Sequence, residues 1–523
     1  MHKCNNKIYV VCFLLLLISF DSFTQTQQAD TDSIAKQTSA IFLSRPLYHA
    51  APEEGWMSDP NGLVYYKGEY HLFYQHMPKG GGNISWGHLA SVDLMNWEQL
   101  PVAIPPDSLL PWSGSIVVDH NNTAGFQTGS EKTMVAVFTQ FNPANKHQKQ
   151  SIAYSNDKGR TWIKYAGNPV LPNRDNLPNF RDPKVLWHEP SGKWVMVVTC
   201  GEYVSFFSSK DLKNWYKESE FGKAVGAHSG GWECPDLSEI RVEGTNEKKW
   251  LLIASLLPGG TSRNLKEQTM NSATQYFIGE FNGTSFIAQD TITRWFDYGA
   301  DNYASITYNN LGNRNIAIGW MSNWQYAGLV PTYPWQGNAT LPRELTLVKP
   351  NGKKSFELRS KPAKEIIAAA TNVFRKNNFY VINNSFGESF NNEELKCSMI
   401  KLDMNVKELA DISLSLENDL GQRMLIGYNA AAKGFYIDRT NAGRSNFSPY
   451  FAQRHYLKVD KEPSEIIFEI FYDVSNIEVF VNDGKWVFSE KIFPDKLYNK
   501  IKIQSGSTNK IRELSVYKIL RPG

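Results

Sequence analysis

The strongest constraint in this sequence is a strand-like segment that recurs five times. His71-Leu72-Phe73-Tyr74-Gln75, Met134-Val135-Ala136-Val137-Phe138, Trp194-Val195-Met196-Val197-Val198, Trp250-Leu251-Leu252-Ile253-Ala254 and Ile316-Ala317-Ile318-Gly319-Trp320 begin 63, 60, 56 and 66 residues apart. Each is a short apolar run bounded by Gly, Pro, Asn and Asp, which is how a buried strand reads. A second pattern, Ser-x-Asp and then Trp, follows three of them: Ser91-Val92-Asp93 with Trp97, Ser155-Asn156-Asp157 with Trp162, and Ser209-Lys210-Asp211 with Trp215. A period of roughly sixty residues has room for four strands, the unit of a propeller blade around a central channel. Helical periodicity is scarce. The expected fold is all-β, with a five-bladed β-propeller over residues 45–355; a β-sandwich with accidental spacing is the plainer alternative.

The texture changes from about residue 370. Ile412-Ser413-Leu414-Ser415-Leu416 and Ile477-Glu478-Val479 alternate with period two, marking strands with one wet face. Asn482-Asp483-Gly484 is a hairpin signal between Val479-Phe480-Val481 and Trp486-Val487-Phe488. Residues 370–523 are therefore expected to form a C-terminal β-sandwich following the propeller. Two domains also suit a chain of 523 residues, too long for one ordinary core.

The N-terminus reads as an address. Lys3 and Lys7 precede the apolar run Ile8 to Phe20, and polar residues follow from Asp21. That is the pattern of a secretory signal peptide, placed here at residues 1–25, with a Gln-, Thr- and Ser-rich linker over 26–44. Cys12 lies inside the apolar run instead of after it, which argues against a lipid-anchored cysteine. No other long apolar stretch is present, so no membrane span is expected and export to periplasm, cell surface or medium is. Cys200, Cys234 and Cys397 remain after the signal, widely spaced, with no CxxC; they form neither a disulfide framework nor a zinc ribbon.

Charge excludes one class of partner. Fifty-five Lys plus Arg against 52 Asp plus Glu leaves +3, without the basic excess that nucleic-acid binding uses. Aromatics are the skewed class, at 13%. They suit platforms under sugar rings and sheet cores equally.

Three acids fall at similar phases of the repeat. Asp59 lies twelve residues before His71, Asp182 twelve before Trp194, and Glu233 seventeen before Trp250. Equivalent points of successive blades converge at one end of the channel. Taken singly, Asp59-Pro60-Asn61-Gly62 reads as a turn, Arg181-Asp182-Pro183 as a surface turn with an ion pair, and Glu233-Cys234-Pro235-Asp236 as a strand end. Their shared phase, and the neighbours Trp56-Met57 and Trp232, shift the balance, because poorly solvated acids can keep a proton near neutral pH. Glycoside cleavage needs one carboxylate to attack or direct water and one carboxylic acid to protonate the leaving oxygen. A third carboxylate can stabilise the positive charge on the sugar ring. Competing chemistries lack their signatures: no G-x-S-x-G or H-E-x-x-H occurs, and Gly80-Gly81-Gly82 lacks the Lys of a phosphate loop. His71 and His76 lack metal-ligand spacing, and neither a metal nor another cofactor is expected.

These motifs resemble those of glycoside hydrolase family 32, which includes invertases, levanases and inulinases. The likeness rests on Trp56-Met57-Ser58-Asp59-Pro60-Asn61-Gly62, Arg181-Asp182-Pro183 and Glu233-Cys234-Pro235-Asp236. Trp86-Gly87-His88, Ser113-Gly114-Ser115 and Pro342-Arg343-Glu344-Leu345 follow the subsidiary motifs in the same order. The resemblance implies a retaining hydrolase of β-fructofuranosides. Asp59 matches the nucleophile, Glu233 the general acid/base, and Asp182 the transition-state stabiliser, with Arg181 beside it. Ser58, Asn61, Gln75, Trp86, Trp112, Ser113, Tyr303 and Trp320 align with residues around the fructosyl pocket.

Two positions depart from the family pattern. Ser58 stands where Asn is usual, and a hydroxyl can replace one amide contact but not both. Trp112 stands where Phe is frequent, giving a larger platform. The run Gly319-Trp320-Met321-Ser322-Asn323-Trp324-Gln325-Tyr326 to Pro334-Trp335 is similar to secreted fructanases, so levan or inulin is the expected substrate and sucrose a further candidate. The rival readings are an inverting propeller glycosidase of arabinan or xylan, and a non-catalytic fructan-binding protein.

Overall fold

The computed structural model describes residues 44–228, 230–257, 272–381, 385–405 and 411–521. The expected signal peptide, and the expected linker up to residue 43, lie outside the described residues.

The protein is all-β. Each recurring segment forms the second strand of its own sheet, namely Glu69–Met77, Thr133–Phe141, Lys193–Cys200, Lys248–Leu256 and Ile316–Trp320. The first strands of these five sheets are β1 (Gly55–Tyr66), β2 (Leu110–Asp119), β3 (Phe180–His188), β4 (Trp232–Arg241) and β5 (Tyr303–Thr307). Each pairs antiparallel with the recurring strand that follows it.

The recurring strands are apolar on both faces because each is packed on both sides. In the second sheet Met134, Ala136 and Phe138 pack with Phe73 and Trp86 of the first sheet. Their neighbours Val135 and Val137 pack with Val185 and Met196 of the third. Val195 and Val197 meet Leu252 and Ala254 of the fourth sheet, and Leu251 and Ile253 meet Ala317 and Leu345 of the fifth. Ile316 and Ile318 then share a core with Leu72 and Tyr74 of the first sheet. Period-two alternation thus supplies two apolar faces per strand, and burying each such side chain is worth about 1.5–3 kcal/mol. The first strands follow the same cycle, β1 against β2, β2 against β3, β3 against β4, β4 against β5, and β5 back against β1. Late in this region Trp335–Gln336 joins the first sheet, pairing parallel to Gly55 and Trp56.

The Ser-x-Asp segments are turns. Each follows the third strand of its sheet, and its Asp accepts from backbone N–H groups downstream: Asp93 from Met95 and Asn96, Asp157 from Thr161, Asp211 from Lys213 and Asn214. The fifth sheet ends with Glu357–Pro362, beyond the expected boundary at 355. Residues Glu357 to Pro362 alternate between partly buried and buried, and the strand pairs antiparallel with Arg343–Val348.

Two six-stranded sheets follow from Ala370, one flanked by Ala370–Val381 and the other by Ser385–Ser389. They share one apolar core that includes Leu402, Leu414, Ile426, Ile470, Val479, Ile503 and Leu514. The hairpin at Asn482-Asp483-Gly484 forms as expected, all three residues having positive φ between Asn476–Val481 and Trp486–Lys491. The thiols of Cys200, Cys234 and Cys397 are free and buried. No helix among the described residues is long and apolar enough to cross a membrane.

Candidate active site

All five first strands carry a register irregularity near their start. It falls between Ser58 and Pro60 in β1, between Pro111 and Gly114 in β2, and at Asp182-Pro183 in β3. In β4 it lies between Glu233 and Asp236, and in β5 between Tyr303 and Ile306. Asp59 (φ 34°), Asp182 (φ 61°), Cys234 (φ 45°) and Ala304 (φ 51°) are left-handed there. Proline follows three of them, at Pro60, Pro183 and Pro235; it cannot donate to the ladder, so the strand bulges. The bulge re-aims the side chain beside it. Asp59-Pro60-Asn61-Gly62, a turn by composition, therefore lies inside a strand, where the bulge uses the same left-handed geometry a turn would.

The bulges bring the acids together. Arg181 Nε and Nη2 both donate to Glu233 Oε1, at 3.0 and 2.8 Å, and Tyr303 Oη donates to Oε2 at 2.6 Å. Asp182 Oδ2 accepts from the Cys234 backbone N–H at 3.0 Å and lies 3.7 Å from Arg181 Nε. The Asp182 backbone N–H donates to Thr139 Oγ1, which holds the bulge in place. Ser113 Oγ donates to Asp59 Oδ2 at 3.3 Å, whereas the shielded Oδ1 has no hydrogen-bond partner among the described residues.

Burial and crowding set the electrostatics. Asp59 is held well above the ordinary carboxylate range by burial first, then by the charges of Glu233 and Asp182; Ser113 and Arg181 pull the other way. Burial pushes Asp182 up to about 6, with Arg181 opposing and Glu233 reinforcing the shift. Arg181 is thus the one guanidinium that opposes the upward shift of both Asp59 and Asp182.

The other expected residues fall around this centre. Ser58 and Gln75 are buried and paired across two strands, and Gln75 Nε2 donates to Pro111 O. Asn61 is fully buried with no partner among the described residues for either amide atom, and with Ser113 and Asp182 it lines a small cavity among the bulges. Trp112 stacks on Phe141, ring centroids 3.9 Å apart. Trp86 and Trp320 are both fully buried, so neither offers an open ring face. Trp86 Nε1 donates to Trp112 O, backing that platform, and Trp320 packs 4.7 Å from Trp324. Both were expected around the pocket; packing from adjacent strands encloses them, as it also encloses Tyr303 and Asn61.

Sequence reasoning did not single out Trp324 as a site residue. Trp324 is 37% exposed and lies 6.2 Å from Trp56, the two rings nearly parallel. It also missed the buried pair of Lys184 Nζ and Asp236 Oδ1 at 2.6 Å, further along β3 and β4. Asp236 stood in the quoted motif, but a charge three residues from a catalytic candidate gave no sign of which way the bulge would turn it. Among the described residues no group of three or more His, Cys, Asp or Glu side chains is disposed to hold a metal ion.

Three clustered carboxylates on an all-β frame, ringed by aromatics, define a hydrolase of glycosidic bonds. Comparison with known proteins makes this specific: residues 49–362 match the glycosyl hydrolases family 32 N-terminal domain and residues 366–518 the glycosyl hydrolases family 32 C terminal. The chain belongs to that family. It is 41% identical over 496 residues to a levanase of Bacillus subtilis (strain 168), covering 90% of this chain and 70% of the levanase. It is 36% identical over 516 residues to an extracellular exo-inulinase of Aspergillus awamori, covering 91% and 94%. The crystal structure of an exo-inulinase from Aspergillus awamori superposes with a TM-score of 0.84 at 34% identity, covering 91% of this chain and 98% of that one.

Proposed function

We propose that this protein is an exported, retaining β-fructofuranosidase that hydrolyses fructans, levan or inulin, and sucrose less readily. The observation that carries the reading is the convergence of Asp59, Asp182 and Glu233 around one guanidinium. Family membership and the levanase and exo-inulinase relatives supply the bond that is cut.

Asp59, as carboxylate, attacks the anomeric carbon of the fructosyl unit while Glu233 protonates the leaving oxygen; water then releases fructose from Asp59, with Glu233 acting as base. Asp182 and Arg181 hold fructose hydroxyls and stabilise the charge on the ring. Ser58, Asn61, Gln75 and Ser113 supply polar contacts, and Trp112, Trp56 and Trp324 the aromatic rim. The five sheets are the blades of a five-bladed propeller over 45–362, closed by Trp335–Gln336, and residues from 370 form the β-sandwich.

The test is chromatography of the products when purified protein lacking residues 1–25 meets levan, inulin and sucrose separately. Fructose released from a fructan faster than from sucrose is the expected result. Absence of fructose and fructo-oligosaccharides from all three overturns the reading.

A further inference from the structure

The C-terminal sheets bear no carboxylate of the cleavage site, yet they grip two segments that do reach it. The two strands concerned are β6 (Gly434–Asn441) and β7 (Trp486–Lys491). The stretch leading into β5 is laid against β7: Tyr298 N donates to Val487 O at 2.8 Å and Asp301 N to Ser489 O at 3.0 Å. Ala300 N donates to Glu490 Oε1, and Lys491 N donates to Asp301 Oδ2 at 2.8 Å.

Arg439 on β6 closes this arrangement. It is fully buried, with its guanidinium 4.0 Å over the Phe451 ring and Nε donating to Phe451 O. Nη1 donates to Asp301 Oδ2 and pairs with Glu490 Oε2 at 2.8 Å. Nη2 donates to the Tyr326 hydroxyl at 2.7 Å, and that hydroxyl donates onward to Asp301 Oδ1 at 2.6 Å. One guanidinium therefore ties Asp301 to Tyr326.

These residues are short steps from the chemistry. Asp301 is two residues before Tyr303, whose hydroxyl holds Glu233. Tyr326 closes the turn that carries Trp324: its N–H donates to Asn323 O, and Asn323 Nδ2 donates to Ala300 O at 2.9 Å. Trp324 packs edge-on against Tyr303 at 6.3 Å. A buried, planar, multiply bonded Arg has little freedom to reorient, so what it holds is held in one geometry.

We propose that Arg439, acting through Asp301 and Tyr326, is a positioning residue that sets Tyr303 against Glu233. The C-terminal domain thereby fixes the orientation of the acid/base. The inference rests on the proposed β-fructofuranosidase activity.

A double-mutant cycle on kcat tests it, with levan, inulin and sucrose as substrates. Tyr326→Phe removes only the hydroxyl between Arg439 and Asp301, and Arg439→Lys keeps the charge but not the fork. Each is expected to lower kcat about five- to twenty-fold with little change in KM. In the Tyr303→Phe background, Tyr326→Phe is expected to cost less than about two-fold, because the group it positions is gone. His49→Gln serves as a control: it disrupts a different buried contact to the C-terminal sheets, with Asp473 and Glu478, and is expected to lower thermal stability while leaving kcat unchanged. Equal fold-losses for Tyr326→Phe in both backgrounds, or unchanged kcat in both Tyr326→Phe and Arg439→Lys, overturns the inference while leaving the enzyme's activity standing. A parent protein without activity on any of the three substrates removes the activity reading and this inference with it.

Discussion

The hydroxyl of Tyr303 sits 2.6 Å from Oε2 of Glu233, opposite the oxygen that Arg181 grips with two N–H groups. Each oxygen of this carboxyl is therefore addressed from a different strand, β5 on one side and β3 on the other. The group can rotate little, which is what proton transfer in line with a leaving oxygen requires. Tyr303→Phe is expected to lower kcat roughly ten- to hundred-fold, with the circular dichroism spectrum and melting temperature close to the parent's. A kcat within two-fold of the parent would mean that Arg181 alone orients Glu233.

The roles of the two reacting acids separate by substitution. Asp59→Ala should abolish turnover, because no other carboxylate shares its bulge, and the strand geometry should survive. Glu233→Gln should lose turnover and still bind fructan, as measured by affinity electrophoresis on levan and inulin. Residual turnover in Asp59→Ala within about a hundred-fold of the parent would remove it as nucleophile.

Asp182 makes stability depend on pH in a definite direction. Its carboxyl is pushed up to about 6 in the folded protein from an ordinary value of 3.8, so the folded state holds a proton there that the unfolded state has lost. The stability from that proton is fully present below about pH 4 and is lost as pH rises through about 6. In Asp182→Asn this loss is absent. Between pH 4 and pH 6 the variant should gain on the parent, by roughly 2 kcal/mol. Melting temperatures of the two proteins across this range check it; a constant gap contradicts the burial argument.

Ser113 gives Asp59 its one side-chain hydrogen bond, and that bond favours the ionised carboxylate. Removing it in Ser113→Ala leaves burial and the neighbouring charges less opposed, so Asp59 takes up its proton at higher pH. The acidic limb of the kcat/KM profile should therefore move to higher pH, while the basic limb stays in place. An acidic limb that stays put or moves down would show that Asp59 is not the group it reports.

Much of this was legible in the residues. The five recurring strands and their spacing follow from alternation, because a strand packed on both faces must be apolar at every position, as Met134 to Phe138 are. The three acids were marked by phase, since the bulges that aim them fall at the same point of each first strand. What stayed hidden depended on neighbours distant in sequence. The enclosure of Trp86 and Trp320 and the exposure of Trp324 are tertiary facts, set by packing from adjacent strands. Asp59-Pro60-Asn61-Gly62 carries a turn composition that a bulge uses equally well. Nothing local to Arg439 or Asp301 announces that they meet across 138 residues of chain.

The stereochemistry of the first product tests the division of labour among the acids most directly. The protein is mixed with a fructan in an NMR tube, and the anomeric form of released fructose is read before mutarotation. Attack by Asp59 followed by attack of water inverts the anomeric carbon twice, so β-fructofuranose should appear first. First appearance of the α-anomer would mean a single displacement by water, and Asp59 would then be a base and not a nucleophile.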